Sequence, residues 1–171
     1  MCGINGVYNH QSLKDVENKV KQMNSLTKHR GPDFTDIYFD STVCLGHNRL
    51  TIIDLDSKSN QPFISNDENL VLAYNGEIYN FLELKKQLSK SYKFKTESDT
   101  EIIIAAYHTW GIEMVHKLNG MFSFALWDKT KEELFLCRDR FGIKPLYYLE
   151  INQSIIFSSS LKAIKSVYLK D

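Results

Sequence analysis

Apolar positions in this chain switch repeatedly between short continuous runs and helical spacing, and the switches mark out its elements. Residues 4–8 form a short run close behind the start and read as a strand. Val16, Val20, Met23 and Leu26 then recur near every third or fourth position, with Ser12 and Asp15 ahead of them in a capping-box arrangement. This helix is expected to end near Lys28. Gly31 and Pro32 both interrupt regular structure, so His29-Arg30-Gly31-Pro32-Asp33 reads as a turn. Residues 36–39 and 43–47 look like two strands joined at Asp40-Ser41.

Residues 70–74 are a continuous apolar run of buried-strand length, expected to end at Asn75-Gly76 before a helix carrying Phe81, Leu84 and Leu88. Asn-Gly is a strong hairpin signal, but the apolar partner strand that a hairpin needs does not follow. Ser98 and Glu101 make a second capping box for a helix through Ile103, Ile104, Tyr107 and Trp110 that stops at Gly111. A short helix through Met114, Val115 and Leu118 follows. Residues 121–127 then place aromatics on one face and smaller residues plus Trp127 on the other, as in a strand buried on both sides. Strands at 133–139, 146–148 and 155–157 and a last helix from Ser160 complete the series. No repeat or linker interrupts it.

Composition narrows the function classes. The 171 residues suffice for one domain with a substantial core, and 43% hydrophobic with 25% charged residues is globular usage. Basic and acidic residues number 21 each, so no electrostatic argument favours nucleic acid or an anionic membrane. No stretch has membrane-span length, and the five histidines lack metal-ligand spacing. Three cysteines without an expected signal segment point to a reducing, cytoplasmic setting. Cys44 and Cys137 sit in apolar runs and read as small core residues.

Cys2 alone has a chemical claim. Cysteine is small enough for an aminopeptidase to remove Met1, which leaves a thiol and a free α-amine on one residue. With reference values of about 8.5 and roughly 7.7–8.0, the two exchange a proton at little cost near neutrality. Further candidates are less decided. Arg49, ahead of Leu50-Thr51-Ile52-Ile53-Asp54, is either a surface charge or a fork for a carboxylate. A strand that ends at Asn75-Gly76 would expose a side-chain amide beside an unpaired N–H, the parts of an oxyanion hole. Asp99, in the first turn of its helix, either complements the dipole or holds a substrate ammonium.

Taken in order, Met1-Cys2-Gly3-Ile4, His29 to Asp33, Arg49 to Asp54, Asn75-Gly76-Glu77-Ile78-Tyr79-Asn80, Ser98-Asp99-Thr100-Glu101 and Arg138-Asp139-Arg140-Phe141-Gly142-Ile143-Lys144-Pro145-Leu146-Tyr147-Tyr148 form a set. This set resembles a class II glutamine amidotransferase domain, more narrowly the N-terminal glutaminase domain of glutamine-hydrolysing asparagine synthetases. The resemblance covers nearly the whole chain. It implies an α+β fold, a four-layer α/β/β/α sandwich of the N-terminal nucleophile hydrolase type, with residues 1–171 as a single such domain. The implied reaction is hydrolysis of glutamine to glutamate and ammonia through a thioester.

In that reading Cys2 is the nucleophile and its freed α-amine the general base. The Asn75 side chain and Gly76 N–H stabilise the oxyanion. Arg49 clamps the α-carboxylate, Asp99 with Glu77 binds the α-ammonium, and backbone groups of Leu50, Thr51, Ile52 and Ile53 line the pocket. No cofactor is implied in this chain; ATP and Mg belong to a synthetase domain or subunit that would receive the ammonia. Neither nucleic acid nor membrane is an expected partner. Two departures from the family pattern stand out: the synthetase's Ser-Gly-Gly-x-Asp loop is absent, and Ser160 occupies a position where Glu is frequent. A fragment of a synthetase and a separate docking subunit both fit. A catalytically silent binding module is the alternative, and a hydrolase of another amide is a third.

Overall fold

The computed structural model describes residues 1–9 and 13–169. In chain order its elements are β1 (Gly3–Tyr8), α1 (Val16–Thr27), β2 (Phe34–Phe39), β3 (Val43–Arg49), β4 (Phe63–Ile64), β5 (Leu70–Ile78), α2 (Phe81–Leu88), α3 (Asp99–Trp110), β6 (Gly120–Asp128), β7 (Glu133–Arg138), β8 (Tyr147–Ile151), β9 (Ser154–Ser158) and α4 (Leu161–Tyr168). Short 3-10 turns occupy Lys28–Arg30, Ser57–Ser59 and Gly111–His116.

The strands form two antiparallel sheets, ordered β2-β3-β1-β9-β8 and β4-β5-β6-β7. Val43, Leu45 and Phe157 of the first sheet meet Val71, Ala125 and Trp127 of the second in an apolar interlayer. On the outer face of the first sheet, Val16, Val20 and Met23 of α1 and Ala163 and Ile164 of α4 cover Val7, Cys44 and Ile156. On the outer face of the second, α2 and α3 cover Leu72, Tyr74, Phe122, Phe124 and Leu126. Ile102, Ile103 and Ile104 of α3 are fully buried there, each contributing about 1.5–3 kcal/mol of burial. The result is the expected α/β/β/α layering, with Phe122 and Phe124 on one face of β6 and Ala125 and Trp127 on the other.

Several local expectations need correction. The strand at 70–74 does not stop at Asn75-Gly76; β5 runs on to Ile78, pairing with β6 through Ile78↔Gly120. Ser98 does cap α3, accepting from Thr100 N, but Glu101 does not reach back to it. Its carboxylate instead accepts from Lys95 N, Thr96 N and Thr96 Oγ1, which leaves only half of a capping box. The segment through Met114 is a 3-10 turn at Gly111–His116, too short and tight for an α-helix. Cys137 is half-buried against the α3 core rather than inside it. Ser12 lies outside the described residues, and Asp15 takes a left-handed backbone at the start of α1 with no capping bond.

Candidate active site

The register of β1 on β3 decides where Cys2 sits. Gly3 pairs with Asn48, so Cys2, one residue earlier, falls level with the end of β3 at Arg49 and Leu50. There Leu50 N–H points at Cys2 Sγ across 3.4 Å, and the thiol donates to Leu50 O at 3.7 Å. Arg30 Nε, from the turn after α1, donates to Cys2 O at 3.0 Å and fixes the backbone from the other side. Burial pushes the Cys2 thiol up, opposed by the Leu50 N–H and the nearby amine. Burial likewise pulls the Met1 α-amine below 8.0, with Cys2 acting to raise it and Arg30 and Lys144 to lower it. Both shifts favour the neutral forms, of the Cys2 thiol and of the Met1 amine.

The two donors expected at Asn75 and Gly76 lie beside a gap in the second sheet. Tyr74 N–H donates to Gln61 Oε1 at 2.7 Å and Ile78 N–H to Asp99 Oδ2 at 3.0 Å, so the even-numbered residues of β5 turn their amides away from β6. Gly76 lies between them and shares that direction. On this edge β4 pairs only with Val71 and Leu72, so nothing in the ladder reaches Gly76 N–H. The unpaired amide expected from a strand end is thus present for a different reason: the neighbouring strand is two residues long. Beside it, the buried Asn75 Nδ2 has no hydrogen-bond partner among the described residues. A buried orphan amide is costly unless something arrives to accept from it. Gly76 is required sterically, since a Cβ there would sit 2.5 Å from Met121 O and 2.7 Å from Phe122 Cα.

A cleft of about 190 Å³ is lined by Cys2, Arg49, Leu50, Ile52, Ile53, Asn75, Gly76, Glu77 and Asp99 together with Met1, Gln61, Tyr74, Ser98, Thr100, Met121 and Lys144. Of the residues expected at the site only Thr51 is not in its wall; its N–H donates outward to Asp33 Oδ2 at 2.8 Å. Arg49 Nη1 donates to Asp56 O and Asn60 Oδ1, and Nη2 to Asp54 O. Three of its five N–H groups are committed to neutral acceptors, which fixes the guanidinium plane and leaves two donors and the full charge. Asp99, 4% exposed, accepts from Tyr74 Oη at 2.7 Å and from Ile78 N–H on the same oxygen, leaving the other free. Burial pushes its carboxyl up, opposed by these two donors, and Glu77 adds to the rise. Arg49 and Asp99 therefore supply one cation and one anion in one cleft.

Tyr74, Gln61 and Lys144 were not singled out from sequence. Tyr74 is hidden in an apolar run where an aromatic reads as core, and Gln61 falls outside every motif. Lys144 lies inside the Arg138 to Tyr148 motif, the one signal that could have drawn it out. Among the described residues no group of three His, Cys, Asp or Glu is placed to hold a metal ion, and no helix is long and apolar enough to cross a membrane.

Comparisons with known proteins agree with this geometry. The family model for the glutamine amidotransferase domain matches residues 1–170. The chain is 44% identical over 168 residues to asparagine synthetase [glutamine-hydrolyzing] 1 of Bacillus subtilis, covering 96% of this chain and 26% of that protein. It is 39% identical over 170 residues to asparagine synthetase B [glutamine-hydrolyzing] of Escherichia coli, covering 98% and 30%. The chain thus spans about a quarter to a third of these curated relatives. Among solved structures, glutamine phosphoribosylpyrophosphate amidotransferase from B. subtilis superposes with a TM-score of 0.77 at 22% identity, over 97% of this chain and 43% of that one. A second, an allosteric regulatory enzyme of purine biosynthesis, gives 0.80 at 21%, with the same coverage. The shared architecture is the N-terminal nucleophile hydrolase sandwich, and the chain belongs to the glutamine amidotransferase domain family.

Proposed function

We propose that this chain hydrolyses glutamine to glutamate and ammonia and hands the ammonia to an asparagine synthetase-type domain or subunit. The carrying observation is the meeting of Cys2, the orphan Asn75 amide, the uncovered Gly76 edge, Arg49 and Asp99 in one cleft. One cation and one anion suit the zwitterionic end of an amino acid and leave a neutral side-chain amide facing the thiol. With Met1 removed, the Cys2 amine accepts the thiol proton as Sγ attacks the γ-carbonyl carbon. The oxygen, now negative, takes hydrogen bonds from Asn75 Nδ2 and Gly76 N–H. Collapse expels ammonia with the proton returned from the amine, leaving the Cys2 thioester. Water, losing a proton to the same amine, then attacks the thioester and releases glutamate.

The length of the relatives supports a synthetase neighbour that would bring ATP and Mg; this chain's share is the ammonia source. Residues 1–171 serve as one glutaminase domain in this reading. Intact-mass spectrometry before and after 6-diazo-5-oxo-norleucine, with a Cys2→Ala control, tests it. Loss of Met1 and a single adduct absent from the control is the expected result. A retained Met1, or a processed chain without an adduct, would instead favour a silent binding module.

A further inference from the structure

We propose that Gln61 is a positioning residue for this hydrolysis: its side chain replaces a missing strand residue beside Tyr74, holding Asn75 and Gly76 in place while leaving the Gly76 edge open. Its purpose rests on the glutaminase reading; its geometry does not. β4 pairs with β5 through Ile64↔Val71 and Phe63↔Leu72. Each step back along β4 is a step forward along β5, so in the same register Gln61 would face Tyr74 and Ser59 would face Gly76. The strand does not continue that far. Ser57–Ser59 is a 3-10 turn, and Ser59 N–H donates to Asp56 O at 3.1 Å instead.

Side chains fill the place of the missing pair at Tyr74. Gln61 Oε1 accepts from Tyr74 N–H at 2.7 Å, and His47 Nε2, reaching across from β3, lies 2.9 Å from Tyr74 O. Gln61 is 4% exposed, and its Nε2 donates to Thr100 Oγ1 at 3.4 Å in the first turn of α3. It lines the same cleft wall as Cys2, Asn75 and Gly76. A backbone partner would satisfy Tyr74 equally well, but the strand supplying it would bring the carbonyl of residue 59 onto Gly76 N–H and consume that donor. The Gln61 side chain satisfies the buried Tyr74 N–H and ends the ladder there. Tyr74 adjoins Asn75, so a grip on its N–H and C=O fixes the backbone from which both donors project. Such donors act only when held within about 0.5 Å of the productive position.

The test compares wild type, Gln61→Met and Gln61→Glu. Glutamate keeps an acceptor oxygen for Tyr74 N–H in either protonation state, whereas methionine fills similar space without one. One readout is kcat and KM for glutamine, per folded chain as set by thermal melts. The other is amide hydrogen exchange at Tyr74 by NMR, referred to Ala73, which pairs with Ala125 of β6. Gln61→Met should lose roughly 10–100-fold in kcat with KM within about twofold. Its Tyr74 N–H should exchange at least about tenfold faster relative to Ala73. Gln61→Glu should keep kcat within about threefold and Tyr74 protected. Full kcat in Gln61→Met, or a glutamate variant as slow as the methionine one, overturns the proposal. Should Gln61→Met fail to fold, Gln61→Glu decides alone: retained kcat with a protected Tyr74 supports the clamp, and a loss of about tenfold or more overturns it. If wild type fails to turn over glutamine, the glutaminase reading falls, and exchange at Tyr74 still decides whether Gln61 holds β5.

Discussion

Tyr74 Oη donates to Asp99 Oδ2 at 2.7 Å, so a residue of β5 and the first residue of α3 are tied together at the floor of the cleft. Both sides of the bond are buried, and the same carboxylate oxygen also takes Ile78 N–H. The tyrosine thereby sets which oxygen of Asp99 remains for a ligand. Tyr74→Phe should leave the fold intact and release that constraint. Steady-state glutaminase assays should show KM for glutamine rising about tenfold with kcat nearly unchanged, in line with one lost hydrogen bond to a buried charge. A fall confined to kcat would show that Tyr74 serves the chemistry rather than the binding of the α-ammonium.

Asn75 behaves oppositely. Its Nδ2 has no hydrogen-bond partner among the described residues, so Asn75→Ala removes an orphan donor rather than a bond made by it. Thermal melts should show little loss of stability, while kcat for glutamine falls roughly 10²–10³-fold, as expected for one oxyanion donor. Equal losses in stability and rate would mean that the amide supports the fold.

Asp99 links binding to stability. Burial holds its carboxyl above the ordinary 3.8 even against the donors Tyr74 Oη, Ile78 N–H and its own N–H. The folded chain therefore binds that proton more tightly than the unfolded chain. This residue's contribution to stability falls as pH rises from 3.8 through the folded value. Asp99→Asn should melt at a higher temperature than wild type at pH 7 and converge with it below about pH 3.8. Glutamine should raise the melting temperature of wild type and not of the variant, whose kcat/KM should drop roughly 100-fold. A variant that melts lower at pH 7 would refute this account.

His47 sets an acid limit. It is fully buried between the sheets, with Nε2 2.9 Å from Tyr74 O and Nδ1 without a partner among the described residues, and burial pulls it from 6.5 down to about 4. The unfolded chain takes up the proton first as pH falls, so this contribution is complete above 6.5 and is lost between 6.5 and 4. Its size is on the order of 3 kcal/mol. Urea melts across that range should show the loss in wild type and a flatter profile in His47→Gln, which keeps a donor for Tyr74 O. Parallel profiles would assign the acid sensitivity to other groups.

How far the sequence foretold this site depends on the kind of signal. Cys2, Arg49 and Asp99 were legible because an unusual residue stood at a recognisable boundary: a chain start, a strand end, a helix start. Asn75 and Gly76 do line the cleft, but not as the end of a strand, and the period of β5 gave no hint that its neighbour β4 would stop after Ile64. Edge coverage is a property of two strands, and neither one encodes it alone. Glu101 shows the same limit: its spacing from Ser98 suited a cap, but the nearby turn offered its carboxylate three donors at once. Tyr74 was invisible because its ring belongs to the core and only its hydroxyl belongs to the site.

The strand that follows Cys2 has a further property that concerns time rather than space. β1 lies between β3 and β9, and Ile4 N–H donates to Ser159 Oγ, 155 residues further along the chain. At about 5–20 residues per second, roughly 8–30 s of synthesis separate the two. During that interval the segment carrying Cys2 has no closed sheet to hold it and stays open to a processing enzyme. Completion of β9 then locks the segment in place. The order of the strands thus leaves the start of the chain open until late in synthesis, and makes β9 the step that seals Cys2 into its cleft.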